Sequence, residues 1–160
     1  MPNYDVEVNR LPEEVSLGIT TIRIARAGNL ARLQVGYATD PQGRPLTGEE
    51  EGDWRPNWVV IGHDDTCGDP IFIDTLQDGF PVYTAMHGQG FWRPSQIAST
   101  IHGLGHALRA ILEASHGREN PVALESNPLT QDERMKILTQ IRQHNPDVDL
   151  EFWTAVLEAS

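Results

Sequence analysis

Apolar and polar positions divide the chain near residue 95 into a part patterned for strands and a part patterned for helices. In the first part, short β-rich runs alternate with turn residues. Residues 19–24 (Ile-Thr-Thr-Ile-Arg-Ile) are β-branched and partly alternating, which predicts a strand. Before them, Leu11-Pro12-Glu13-Glu14 reads as a turn or a short helix start, and Asn29-Leu30 opens a short helix through Leu33 that ends near Gly36. Residues 40–43 (Asp-Pro-Gln-Gly) form a turn, and 47–53 form an acidic loop. Strands are then predicted at 57–62, 71–74 and 81–85, separated by turn clusters at 64–70 and 76–79. Connections this short join antiparallel neighbours, because a parallel crossover needs about a dozen residues. The pattern is a β-meander.

The last third changes period. Ile97, Ile101, Leu104, Leu108, Ile111 and Leu112 recur at helical spacing and form one apolar stripe. The predicted helix begins after Pro94 and Ser95 and ends at Gly117. Thr130 to Glu133 is a capping-box signature for a second helix carrying Met135, Ile137, Leu138 and Ile141, which Asn145-Pro146 breaks. A third helix starts around Asp149 and carries Leu150, Trp153, Val156 and Leu157. Strands followed by helices predict an α+β fold, an antiparallel meander packed by helices. Trp54, Trp58, Phe72, Tyr83, Phe91 and Trp92 cluster in the meander and its exit, and are expected to form the core beneath the main helix.

A length of 160 residues predicts a single domain, 1–160. The one cysteine, Cys67, allows no intrachain disulfide and fits a reducing compartment. The opening residues show no basic segment followed by an apolar run, and no stretch approaches the ~20 apolar residues of a membrane span. The expected location is the cytoplasm. A net charge of −11 argues against nucleic acid and anionic membranes as partners, since phosphate binding is driven by Lys and Arg. Between residues 49 and 78 the chain carries Glu49, Glu50, Glu51, Asp53, Asp64, Asp65, Asp69, Asp74 and Asp78 against a single base, Arg55. One reading is a solubilising surface. The other is a face that attracts a basic protein, with Glu49, Glu50, Glu51, Asp53, Asp64 and Asp65 as the contact residues.

Catalytic constellations are weak. His102 and His106 stand at i and i+4, a spacing that presents two ligands on one helix face, but no Glu follows the first and no third ligand is evident. They lie opposite the apolar stripe, beside Arg109 and Glu113, and read as a solvated face. His63, Asp64 and Asp65 resemble an acid–base or metal cluster, yet fall where a strand runs into a turn, where Asp ordinarily bonds its own backbone. Asp69 and Asp74 are explained by turn and cap roles in the same way. Acidic neighbours should raise the pKa of Cys67 rather than activate it. The glycines of residues 86–90 lack the Lys and Ser/Thr of a phosphate loop. No enzyme, cofactor or metal is expected.

The order Gly36-Tyr37, Gly52-Asp53-Trp54, the Trp58-led strand to Gly62, Gly68-Asp69-Pro70 running on to Asp74, Pro81-Val82-Tyr83, His87-Gly88, Trp92 and a long helix after Ile97 resembles the SUKH superfamily. That family includes the fungal Smi and Knr cell-wall regulators and many bacterial immunity proteins. The resemblance spans roughly 19–112, and its most specific part is the Trp-led strand, the Gly-Asp-Pro and the strand ending in Ile-Asp. Family members open with a helix and an Asn-Gly turn, to which only 11–14 corresponds here. The resemblance implies an antiparallel sheet packed by helices, no catalytic residues, and neutralisation of a toxin, often a nuclease. Trp58, Gly68, Asp69 and Asp74 carry over as scaffold positions. Alternatives are a small metal-dependent hydrolase using His63, Asp64 and Asp65 or His102 and His106, and a regulatory scaffold with no toxin partner.

Overall fold

The structure, a computed structural model, describes residues 3–158. Its sheet is a six-stranded antiparallel meander in chain order: β1 (Glu14–Leu17), β2 (Thr20–Ile24), β3 (Trp58–Asp64), β4 (Asp69–Asp74), β5 (Val82–Thr84) and β6 (Ser95–Ala98). The helices are α1 (Tyr4–Asn9), α2 (Leu30–Leu33), α3 (Ile101–Ser115), α4 (Pro121–Ser126), α5 (Gln131–His144) and α6 (Glu151–Glu158). The fold is α+β, as the pattern predicts.

The meander is longer than expected at both ends. The sequence pattern assigns 11–14 to a turn or helix start and leaves 15–17 unassigned, but Glu14, Val15, Ser16 and Leu17 alternate in burial and pair with β2. The hairpin turns on Gly18-Ile19, so Ile19 leaves the strand assigned to it. A two-residue hairpin turn of this kind requires positive φ at its first position, and Gly18 supplies it at 58°. At the other end, Ser95–Ala98 is strand β6, not the first turn of the main helix. Ile97 stands four residues before Ile101 and so mimics helical phase. The true start is Thr100, whose hydroxyl accepts the Gly103 N–H at 2.9 Å. The capping box at Thr130 and Glu133 forms as read, with both reciprocal bonds at 3.1 Å. Helix α4 was missed, although Asn120 caps it and Pro121 occupies its first turn.

The sheet buries both faces. On one, α3 contributes Ile101, Leu104, Ala107, Leu108 and Ile111 against Leu17, Ile22, Ile71, Ile73 and Val82, with α5 and α6 behind it. Trp153 of α6 is fully buried there, and its indole N–H donates to the Ile97 carbonyl at 2.8 Å. On the other face Trp54, Val60, Phe72 and Ala85 form a second core with Tyr37, Trp58, Tyr83 and Trp92 against it. The aromatic cluster therefore does not lie beneath the helix, as composition suggested. Residues along β4 alternate sides, so Ile71 and Ile73 face α3 while Phe72 between them faces away. Composition carries no information about that phase.

The second face is covered by chain, since residues 25–57 leave the sheet between β2 and β3 and fold back across it. Strand β2 ends at Ile24, opposite Gly62, and leaves the first half of β3 without a neighbour on that side. The side-chain amide of Gln34 fills the gap. Its Oε1 accepts the Val60 N–H at 2.9 Å and its Nε2 donates to the Val60 carbonyl at 2.9 Å, while also donating to Leu30. Gln34→Ala should leave both buried Val60 groups unpaired and lower stability by about 1–3 kcal/mol in urea melts. Gln34→Glu keeps the acceptor but sets a carboxylate oxygen against the Val60 and Leu30 carbonyls, and should be at least as destabilising at neutral pH.

Candidate partner-binding face

The second core holds two loops in place. Tyr37 sits at its centre, with ring centroids 5.1 Å from Trp54 and 5.5 Å from Trp92, and Trp54 packs on Phe72 at 4.6 Å. The Trp54 indole N–H donates to the Trp58 carbonyl at 3.3 Å, fixing the chain just after the acidic loop. Tyr37 Oη lies 3.0 Å from His63 Nε2. Burial raises the Tyr37 hydroxyl and lowers His63, which favours a hydrogen bond between two neutral groups, its direction set by the imidazole tautomer.

On this layer rest the acidic loop 47–53 and a second loop, 86–91. The Trp92 N–H donates to the Gly52 carbonyl at 2.8 Å, which ties the loops together. A Cβ on Gly52 would meet the Phe91 Cβ at 2.9 Å, so the approach of the loops depends on glycine there. Phe91 is 41% exposed and Met86 63% exposed, and the Arg93 guanidinium lies 5.1 Å from the Phe91 ring centroid. Two large apolar side chains thus stand in the open on loop 86–91, and Phe91 is next to the loop that carries three consecutive glutamates.

The six acidic residues expected to meet a partner separate into two groups. Glu49, Glu50 and Glu51 are exposed, and among the described residues none of their carboxylates has a hydrogen-bond or ion-pair partner. The other three are occupied within the fold. The Asp53 carboxylate accepts the Glu50 N–H at 3.0 Å and shapes the loop. Asp64 accepts the Thr66 N–H at 2.9 Å and the Cys67 thiol at 3.6 Å. Asp65 pairs with Arg23, which also reaches Glu14 at 2.7 Å; the Asp65 hydrogen bond and then the Glu14 charge push the guanidinium up. An Asp directly before a core Trp, or at a hairpin corner, is the signal that distinguishes these from the free glutamates.

The four scaffold positions lie in structural settings. Trp58 leads β3 and packs edge-on to Trp54. Gly68, with φ of 79°, closes the β3–β4 hairpin through its N–H to the Asp64 carbonyl at 2.7 Å. Asp69 accepts His87 Nδ1 at 2.7 Å, the His87 N–H at 3.1 Å and the Cys67 thiol at 3.3 Å, and so anchors loop 86–91 to the hairpin. Asp74 is buried and accepts from Asn57 at 2.6 Å, Gln77 at 2.7 Å and the Leu76 N–H at 3.0 Å.

The residues considered for catalysis do not converge. His63 turns to Tyr37, Asp64 to the hairpin and Asp65 to Arg23. They line or border a groove of about 660 Å³ with Arg32, Leu33 and Val35, but each polar tip is committed elsewhere. Partial desolvation, followed by the charges of Asp64 and Asp69, pushes the Cys67 thiol up to about 11. Although exposed, it should therefore alkylate slowly with iodoacetamide at pH 7.5, and the rate should still be climbing at pH 10. A plateau below pH 9 would contradict the assigned environment. His102 and His106 point their Nε2 atoms at each other across 3.1 Å, and His144 of α5 stacks on His106 with centroids 3.5 Å apart. Among the described residues no three His, Cys, Asp or Glu side chains converge on a common metal position, and no helix is long and apolar enough to cross a membrane. No family model, no curated protein and no solved structure matches the chain.

Proposed function

We propose that this chain is a non-enzymatic, cytoplasmic protein-binding domain of the toxin-immunity type, which neutralises a basic toxin domain by docking through the loops on its second sheet face. The observation that carries the reading is the juxtaposition of the loop bearing Glu49, Glu50 and Glu51, exposed and unpaired among the described residues, with the exposed Phe91, which packs against Gly52 of that loop. Aromatic and Met side chains are the usual anchors of protein interfaces, and charges at the rim steer the approach. A cation-rich partner, such as a nuclease that must itself hold phosphate, fits the charge of −11. The SUKH resemblance of the sequence supports the same reading.

A hydrolase at His63, Asp64 and Asp65 draws no support from three side chains that diverge. The test is co-expression with the C-terminal domain of a large secreted protein encoded beside this chain, the neighbour that the immunity reading requires. Restored growth with a 1:1 complex on purification is the expected result. Unrelieved toxicity together with no complex would contradict the immunity reading.

A further inference from the structure

We propose that His102 and His106 form a two-imidazole site for a divalent transition-metal ion on the outer face of α3. Their i, i+4 spacing places both rings on one side of the helix, and the two Nε2 atoms are 3.1 Å apart. With a metal–nitrogen distance of about 2.0–2.1 Å, that separation corresponds to an N–metal–N angle of roughly 98°. This lies between the right angle of tetragonal coordination and the tetrahedral angle, so the two nitrogens stand at a separation that one ion can bridge with a turn of the rings.

The rings are also held in place. His106 stacks on His144 at 3.5 Å with an interplanar angle of 1°, which fixes its orientation from a second helix. Among the described residues no third His, Cys, Asp or Glu converges with them, so the protein contributes two ligands and solvent completes the shell. Without metal, the 3.1 Å separation serves as a hydrogen bond in which one Nε2–H donates to the other ring. The ion replaces that proton, which shifts to Nδ1 of the same ring. Arg109 on the same face opposes a cation locally, whereas the net charge of −11 favours one. Imidazole donors and this geometry select Ni²⁺ and Cu²⁺ over Mg²⁺ or Ca²⁺.

The site stands apart from the loop-bearing face, so it can fail without affecting the docking proposal. The experiment is calorimetric titration of the purified chain with Ni²⁺ in a non-coordinating buffer at pH 7.5. His102→Ala, His106→Ala and His87→Ala are measured alongside, with circular dichroism confirming that each folds. One equivalent of Ni²⁺ should bind, at least tenfold more weakly in either α3 variant and within twofold of wild type in His87→Ala. The hydrogen-bonded pair alone predicts otherwise. Affinity in His102→Ala within twofold of wild type, or no binding by the wild-type chain at millimolar Ni²⁺, would overturn the proposal.

Discussion

Asn145→Ala is expected to lower the unfolding free energy by about 3 kcal/mol. Asn145 follows α5 and is fully buried, where three parts of the chain meet. Its Oδ1 accepts the Ser99 N–H at 2.9 Å, at the exit of β6, and its Nδ2 donates to the carbonyls of Ile141 at 2.9 Å and Gly103 at 3.2 Å. Truncation strands the part-buried Ser99 N–H and opens space where α3, α5 and β6 join. Gly103 belongs to the same knot, because a Cβ there would meet Asn145 Oδ1 at 2.3 Å and the His144 carbonyl at 2.8 Å. Gly103→Ala should therefore be destabilising too, and less so in the Asn145→Ala background, since one of the two overlaps has gone. Urea melts of the two single variants and the double variant measure both effects. A loss under 1 kcal/mol for Asn145→Ala, or strict additivity, would contradict this arrangement.

The sequence revealed this knot only as a helix break. Asn145-Pro146 says that α5 must stop; it does not say that the asparagine amide will bridge to residues far away in the chain. The middle strands were legible because β-branched and aromatic runs lie between Asp- and Gly-rich turns, and the capping box was legible because its two bonds are local. What failed depended on phase and on partners distant in sequence. Ile97 has the spacing of α3 but belongs to β6, and Phe72 has the size of a core residue but faces away from the helices. The candidate face was half legible: acidity located the loop 47–53, whereas the exposed Phe91 beside it and the internal commitments of Asp53, Asp64 and Asp65 needed coordinates.

That distinction decides the second variant. Reversing Glu49, Glu50 and Glu51 to Lys changes three free charges and moves the net charge from −11 to about −5, six units by substitution. Asp53, which charge alone would include, must stay because it shapes the loop. The fold should be unaffected. Association with a basic partner should slow about tenfold or more at low ionic strength, with little change in dissociation, because exposed rim charges act mainly on the encounter. At high salt, where the Debye length falls to about 3 Å at 1 M, the two rates should converge. Equal on-rates at low salt would remove the glutamates from the encounter surface.

Amide hydrogen exchange of the chain alone and in complex with the toxin domain tests the central claim most directly. The account predicts new protection at 47–53 and 86–92, with α3 and α5 exchanging as they do in the free chain. Protection confined to the outer faces of α3 and α5, with both loops unchanged, would place the partner on the opposite side and contradict it.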